Sequence, residues 1–207
     1  MITATDLGFI HRFVPVQDAG LAPLLLLHGS GGDEHDLVPL AERIGPGRAI
    51  VSPRGKINEQ GITRFFRRAP DGAWDLDDFA QRTGELADFV RSARGAYGLP
   101  KPVVLGYSNG ANIGWSLLLR EPGALAGAIL LRSMLPFDPR PLPNLNGIPV
   151  LLIAGTHDEL IPVERAGLLA ALLGEAGADV TYEVLPVFHG LVQEDVALAS
   201  EWLARHG

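Results

Sequence analysis

The 207-residue chain contains no cysteine. That absence excludes disulfides, thiolate metal sites and a cysteine nucleophile together, so covalent chemistry here would need an oxygen or nitrogen nucleophile. Long apolar runs are missing too, and the opening residues Met1-Ile2-Thr3-Ala4-Thr5-Asp6 lack the basic cluster and apolar core of a leader. A cytoplasmic protein with no membrane partner is the expectation. Positive charge is scarce: 17 Lys and Arg against 24 Asp and Glu leave a net charge of −7, and the basic residues are scattered apart from Arg64, Arg67 and Arg68. This is no nucleic-acid footprint. With no heptad seam in sight, a homodimer stays open as an assembly without a locatable interface.

What is present suits a packed core. At 47% hydrophobic residues the length matches a single domain over residues 1–207. Short apolar or β-branched runs occur at Phe9 to Val14, Leu24 to Leu27, Arg48 to Ser52, Pro102 to Tyr107, Ala128 to Leu131, Ile148 to Ala154 and Val180 to Leu185. Helical patterns lie between most of them. Unbroken hydrophobic strands separated by helices predict a mostly parallel sheet of about seven strands covered on both faces, with ligands at the carboxyl ends of the strands. The clearest helix starts at Asp75, with Trp74 and Phe79 at the positions of a hydrophobic staple, and shows Leu76, Phe79, Thr83, Leu86 and Val90 on one face. It is expected to end near Gly95. A second begins at Pro162 and carries Leu168, Leu169, Leu172 and Leu173, and a closing helix spans Leu191 to Arg205 with Trp202 and Leu203 inward.

The run Val103-Val104-Leu105 leads into Gly106-Tyr107-Ser108-Asn109-Gly110, a GxSxG pentapeptide followed by a helix-like segment with small residues at Gly110, Ala111 and Gly114. Strand, sharp turn and helix in this order make a nucleophile elbow with Ser108 at its tip. A serine hydroxyl is protonated at neutral pH, so it needs a general base and a carboxylate to orient that base. In elbow-type hydrolases these follow the serine in the order acid, then histidine. Asp158 ends the strand-and-turn segment Ile148 to Asp158, and His189 follows the strand Val180 to Leu185. Of six histidines only His189 fits by order. The negative charge of acyl transfer would be met by backbone N–H groups of Asn109 and of Ser30, the latter in Leu27-His28-Gly29-Ser30-Gly31-Gly32. That glycine-rich loop lacks the lysine of a phosphate-binding loop, and His28 is expected to brace it.

Together, His28-Gly29-Ser30-Gly31-Gly32, Gly106-Tyr107-Ser108-Asn109-Gly110, Gly155-Thr156-His157-Asp158 with Pro162, and His189-Gly190 resemble the phospholipase/carboxylesterase branch of the α/β-hydrolase superfamily. The resemblance implies an α/β-hydrolase fold without a large lid domain, a catalytic triad of Ser108, Asp158 and His189, oxyanion donors at Ser30 and Asn109, and no metal or cofactor. Acyl-protein thioesterases of this branch usually carry glutamine after the nucleophile and glycine before the histidine. Asn109 and Phe188 stand there instead, which favours a small-ester substrate over lipidated proteins. Thioesterase, lysophospholipase-type and non-catalytic binding readings of the same fold stay open. For the substrate, Arg54 after one strand, with Phe65, Phe66 and Arg67 in the loop beyond, offers an acyl or aryl pocket with a cationic rim. The alternative is an exposed loop in which the two rings pack locally and the arginines are solvated.

Overall fold

The computed structural model describes residues 7–18, 20–69 and 73–207. In chain order its elements are β1 (His11–Val14), β2 (Leu24–Leu27), α1 (Val38–Ile44), β3 (Ile50–Pro53), β4 (Ile57–Glu59), β5 (Ile62–Arg64), α2 (Leu76–Tyr97), β6 (Val103–Tyr107), α3 (Asn109–Arg120), β7 (Gly127–Leu131), β8 (Pro149–Gly155), α4 (Val163–Glu175), β9 (Asp179–Leu185) and α5 (Gln193–His206). Seven strands form one sheet in the order β1-β3-β2-β6-β7-β8-β9. All neighbours are parallel except β1, which runs antiparallel to β3 at one edge. This is the α/β-hydrolase architecture, and no lid domain interrupts it among the described residues.

Strand β2 shows why the sheet lies inside. Its four leucines are all buried, and successive side chains point to opposite faces. Leu24 and Leu26 join one cluster with Val38, Ala41, Ala199 and Trp202, so α1 and α5 cover that face. Leu25 and Leu27 join the other, with Phe79, Leu86, Ile113 and Leu169, so α2, α3 and α4 cover the second. Each leucine removed from water contributes roughly 1.5–3 kcal/mol, which a strand exposed on either side would forfeit.

Helix α2 begins as its sequence predicts. The Asp75 carboxylate accepts a hydrogen bond from the Asp78 N–H at 3.0 Å, and the rings of Trp74 and Phe79 lie 5.0 Å apart across the start of the helix. It runs past Gly95 to a left-handed cap at Gly98, where φ is +64°. Leu76 and Leu168, expected on buried faces, are exposed, since they fall outside the stripes that reach the sheet. Two features gave no sequence signal. Helix α1 has only seven residues with a proline in its first turn, and the β4–β5 hairpin turns at Gln60-Gly61. Both turn residues have positive φ, as a type I′ turn requires, but glutamine is not the usual marker of that turn.

No helix among the described residues is long and apolar enough to cross a membrane. Asp75→Ala is expected to lower stability by about 1 kcal/mol through loss of the cap, read as a lower urea midpoint with an unchanged slope.

Candidate active site

Ser108 lies between β6 and α3, at φ +51° and ψ −113°. A residue with a side chain adopts that conformation only when its surroundings enforce it. Here the enforcement is close approach. A methyl group on Gly106 would sit 2.7 Å from the Cα of Ala111, and one on Gly110 would collide with the carbonyl of Leu27 at the end of β2. The helix therefore rests directly on the sheet, and the Ser108 N–H is tied to the Leu131 carbonyl at 2.9 Å.

Two loops at the same sheet edge bring in the other predicted side chains. Asp158 follows β8, and its Oδ1 accepts hydrogen bonds from the N–H groups of Leu160 and Ile161, both at 2.9 Å. Its Oδ2 lies 2.8 Å from His189 Nδ1, and His189 Nε2 lies 3.0 Å from Ser108 Oγ. Because a carboxylate only accepts, Nδ1 carries the proton and Nε2 presents its lone pair to the serine hydroxyl. The Asp158 side chain has no solvent exposure and that of His189 has 21%. The arrangement is a buried carboxylate, a partly buried imidazole and a hydroxyl on a residue at positive φ, joined by two hydrogen bonds.

The glycine-rich loop after β2 is braced from several sides. Buried His28 donates from Nδ1 to the Gly29 carbonyl at 2.7 Å and accepts the Gly55 N–H at Nε2, at 2.9 Å. Burial pushes its pKa below the ordinary imidazole value, which keeps the accepting nitrogen free. The N–H of Gly31 bonds Thr63 in the hairpin and that of Gly32 bonds Gly29, while the N–H of Ser30 has no internal acceptor among the described residues. Asn109 opens α3, so its N–H has no carbonyl one turn back to bond.

The substrate-pocket expectation needs correction. Phe65 and Phe66 are buried, at 2% and 0% exposure, and present no surface to a ligand. Phe65 packs on His28 at 4.6 Å between ring centroids and donates its N–H to Asn109 Oδ1 at 2.8 Å, so it joins the two loops flanking Ser108. Phe66 fills a cluster with Trp74 and Phe79. Arg54 is held by both carboxylate oxygens of Glu34. Arg67 turns to Asp78, which accepts its N–H and lies 3.8 Å from its Nε. Residues 68 and 74 pair as a β-bridge, and alternation along that short extended stretch turns Arg68 to the other side. Arg68 lines a cavity with Met134 and Arg165.

Sequence reading missed the residues that hold the histidine loop. Arg132, fully buried at φ +55°, makes a two-pronged ion pair with Asp195 at 2.8 and 2.9 Å and donates to the carbonyls of Phe188 and Gly190, both at 3.3 Å. Tyr107 donates to the carbonyl between them, that of His189, at 3.2 Å. Three successive carbonyls are thus held by two side chains from the ends of β6 and β7. An arginine closing an apolar strand was the available signal, since a buried guanidinium requires a partner.

A family model described as Phospholipase/Carboxylesterase matches residues 14–207. The chain belongs to that family. It is 39% identical over 181 residues to a protein of Bacillus subtilis (strain 168) described as "Putative hydrolase MhqD", covering 86% of this chain and 90% of that one. Among solved structures, a carboxylesterase of Bacillus cereus superposes with a TM-score of 0.93 at 39% identity, covering 96% of this chain and 95% of that one. A protein named YahD, solved with malic acid, has a TM-score of 0.90 at 33% identity, covering 96% of this chain and all of the other. The family and these relatives make the chain a hydrolase of the carboxylesterase/phospholipase type.

Two outcomes test the supports of the site. Asp195→Ala strands the Arg132 charge in the interior and should lower unfolding stability by about 3–5 kcal/mol, read from denaturant midpoints. His28 has a folded pKa below its unfolded one, so the unfolded chain binds the extra proton first. Stability should therefore fall as pH drops below about 6.5, until the folded ring also protonates, and the fall should be smaller in His28→Gln.

Proposed function

We propose that Ser108, His189 and Asp158 act as a catalytic triad and that the protein hydrolyses small carboxylic esters through an acyl-enzyme. In this reading Ser108 Oγ attacks the ester carbonyl while His189 Nε2 takes its proton. Asp158 holds the imidazole in the required tautomer and stabilises its cation. The N–H groups of Ser30 and Asn109 receive the oxyanion. Collapse of the tetrahedral adduct expels the alcohol, which takes its proton from His189. Water, activated by the same ring, then frees the acid and restores the serine.

The observation that carries the reading is the continuous chain of hydrogen bonds at 2.8 and 3.0 Å ending on a serine at positive φ. Further support comes from the two N–H groups beside it that lack internal acceptors, and from the carboxylesterase among the similar structures. YahD was solved with malic acid, a small carboxylic acid of the kind that ester hydrolysis releases. Asn109 also has a second task, since its side chain holds the Phe65 N–H, and this gives a physical use for asparagine after the serine.

Ser108→Ala should reduce kcat/KM on 4-nitrophenyl acetate by on the order of 10⁴-fold or more and abolish labelling by a fluorophosphonate, with the circular dichroism spectrum unchanged. Retained turnover in that variant rejects the assignment.

A further inference from the structure

We propose that the segment from Gly55 to Phe65, which carries the β4–β5 hairpin, is a spacer that sets the separation of the two oxyanion donors, and that the Asn109 side chain is the positioning residue joining it to α3. The inference rests on the reading of Ser108 as the nucleophile and of the Ser30 and Asn109 N–H groups as donors to the developing charge. Those donors stand on different elements, one in the loop after β2 and one at the start of α3. To stabilise one oxygen, both must lie about 2.7–3.1 Å from a single point, so their spacing has to be fixed by something that grips both elements.

The segment grips both. Toward the glycine-rich loop, the Gly55 N–H donates to His28 Nε2 at 2.9 Å, and the Thr63 carbonyl accepts the Gly31 N–H at 2.8 Å. His28 and Gly31 bracket Ser30 on either side. Toward the helix, the Phe65 N–H donates to Asn109 Oδ1 at 2.8 Å. Thr63 and Phe65 are two residues apart, so one short piece of backbone carries a bond to each side of the serine. The Phe65 ring adds a contact with the His28 ring at 4.6 Å between centroids.

The spacer is itself stiff. A methyl group on Gly55 would collide with the Arg64 carbonyl, so the two ends of the hairpin are closed on one another. Ile57 pairs with Arg64 across the two strands, and Glu59 holds the Arg64 guanidinium at 2.6 Å. Helix α2 braces the segment from outside, where Lys56 reaches Glu85 at 2.8 Å and the Arg67 N–H donates to Asp78 at 2.8 Å. The glycine-rich loop and the elbow also touch directly, since a methyl on Gly29 would sit 2.8 Å from the Tyr107 ring. That packing limits how closely the two can approach. The hydrogen bonds through the hairpin keep them from drifting apart.

Asn109→Ala keeps the backbone N–H of residue 109 and removes only its tie to Phe65. With rates on 4-nitrophenyl acetate counted per site titrated to completion by a fluorophosphonate, misfolded protein drops out of the comparison. On that basis kcat should fall about 10–100-fold with KM within about twofold, because a misplaced donor weakens binding of the transition state more than that of the ester. The inhibition constant of phenylboronic acid, which forms a tetrahedral adduct on the serine, should rise in parallel. Gly61→Val strains the turn at the far end of the hairpin, where φ is +86° and an added methyl meets nothing within 4 Å. It should lower kcat per titrated site in the same sense by a smaller factor. Unchanged kcat in either variant, or a loss confined to KM, overturns the spacer and leaves Ser108 as the nucleophile. Turnover that survives Ser108→Ala removes the underlying reading and the spacer with it.

Discussion

The packing of helix α3 directly onto the end of β2 is the constraint from which the site follows. At Gly110 the helix backbone meets the carbonyls of Leu27 and His28 with no room for a side chain. A chain that leaves β6 and reaches that helix in so few residues has to reverse sharply at Ser108, and the positive φ there is the result. The same contact sets the first N–H of the helix beside the glycine-rich loop, because Leu27 and His28 lead into that loop. One close approach therefore sets the turn at Ser108 and brings the start of α3 against the residues that lead into the glycine-rich loop.

Around this contact, polar side chains do what the sheet's hydrogen bonds cannot. Loops past the ends of the strands have no ladder, yet their backbone groups are packed away from water and need partners. His28 serves Gly29 and Gly55, Asn109 serves Phe65, Asn112 serves Met134, and Arg132 with Tyr107 serves the three residues centred on His189. Each bond is modest in net energy, but a buried group left without its partner costs about 1–3 kcal/mol, and more where charge is involved. Such bonds define loop position more sharply than apolar packing does, since a slight shift breaks them. The histidine loop illustrates the point: the carbonyls of Phe188, His189 and Gly190 are all held, while the His189 ring keeps its two nitrogens for Asp158 and Ser108.

The charge distribution divides along the same line. Several arginines are matched to carboxylates and serve the architecture, as Arg54 does for Glu34 and Arg132 for Asp195. Adjacent residues Arg67 and Arg68 part company because a short extended stretch sends one toward Asp78 and the other toward the cavity over Met134. Composition places both in one basic cluster, and only the folded chain separates their surroundings.

Read from residues alone, the order of strands and helices, the cap at Asp75, the elbow and the three side chains of the Ser108 site were legible, because each is written locally: four leucines in a row, an aspartate before a staple, glycines two residues either side of a serine. The burial of Phe65 and Phe66 and the pairing of Arg132 with Asp195 were not. Those depend on which segments meet after folding, and a contact between residues 63 positions apart leaves no periodicity in the chain. Local sequence determined the fold and the three side chains that meet at Ser108; tertiary packing decided what holds them in place and which charges are paired, since burial and pairing are properties of the assembled chain.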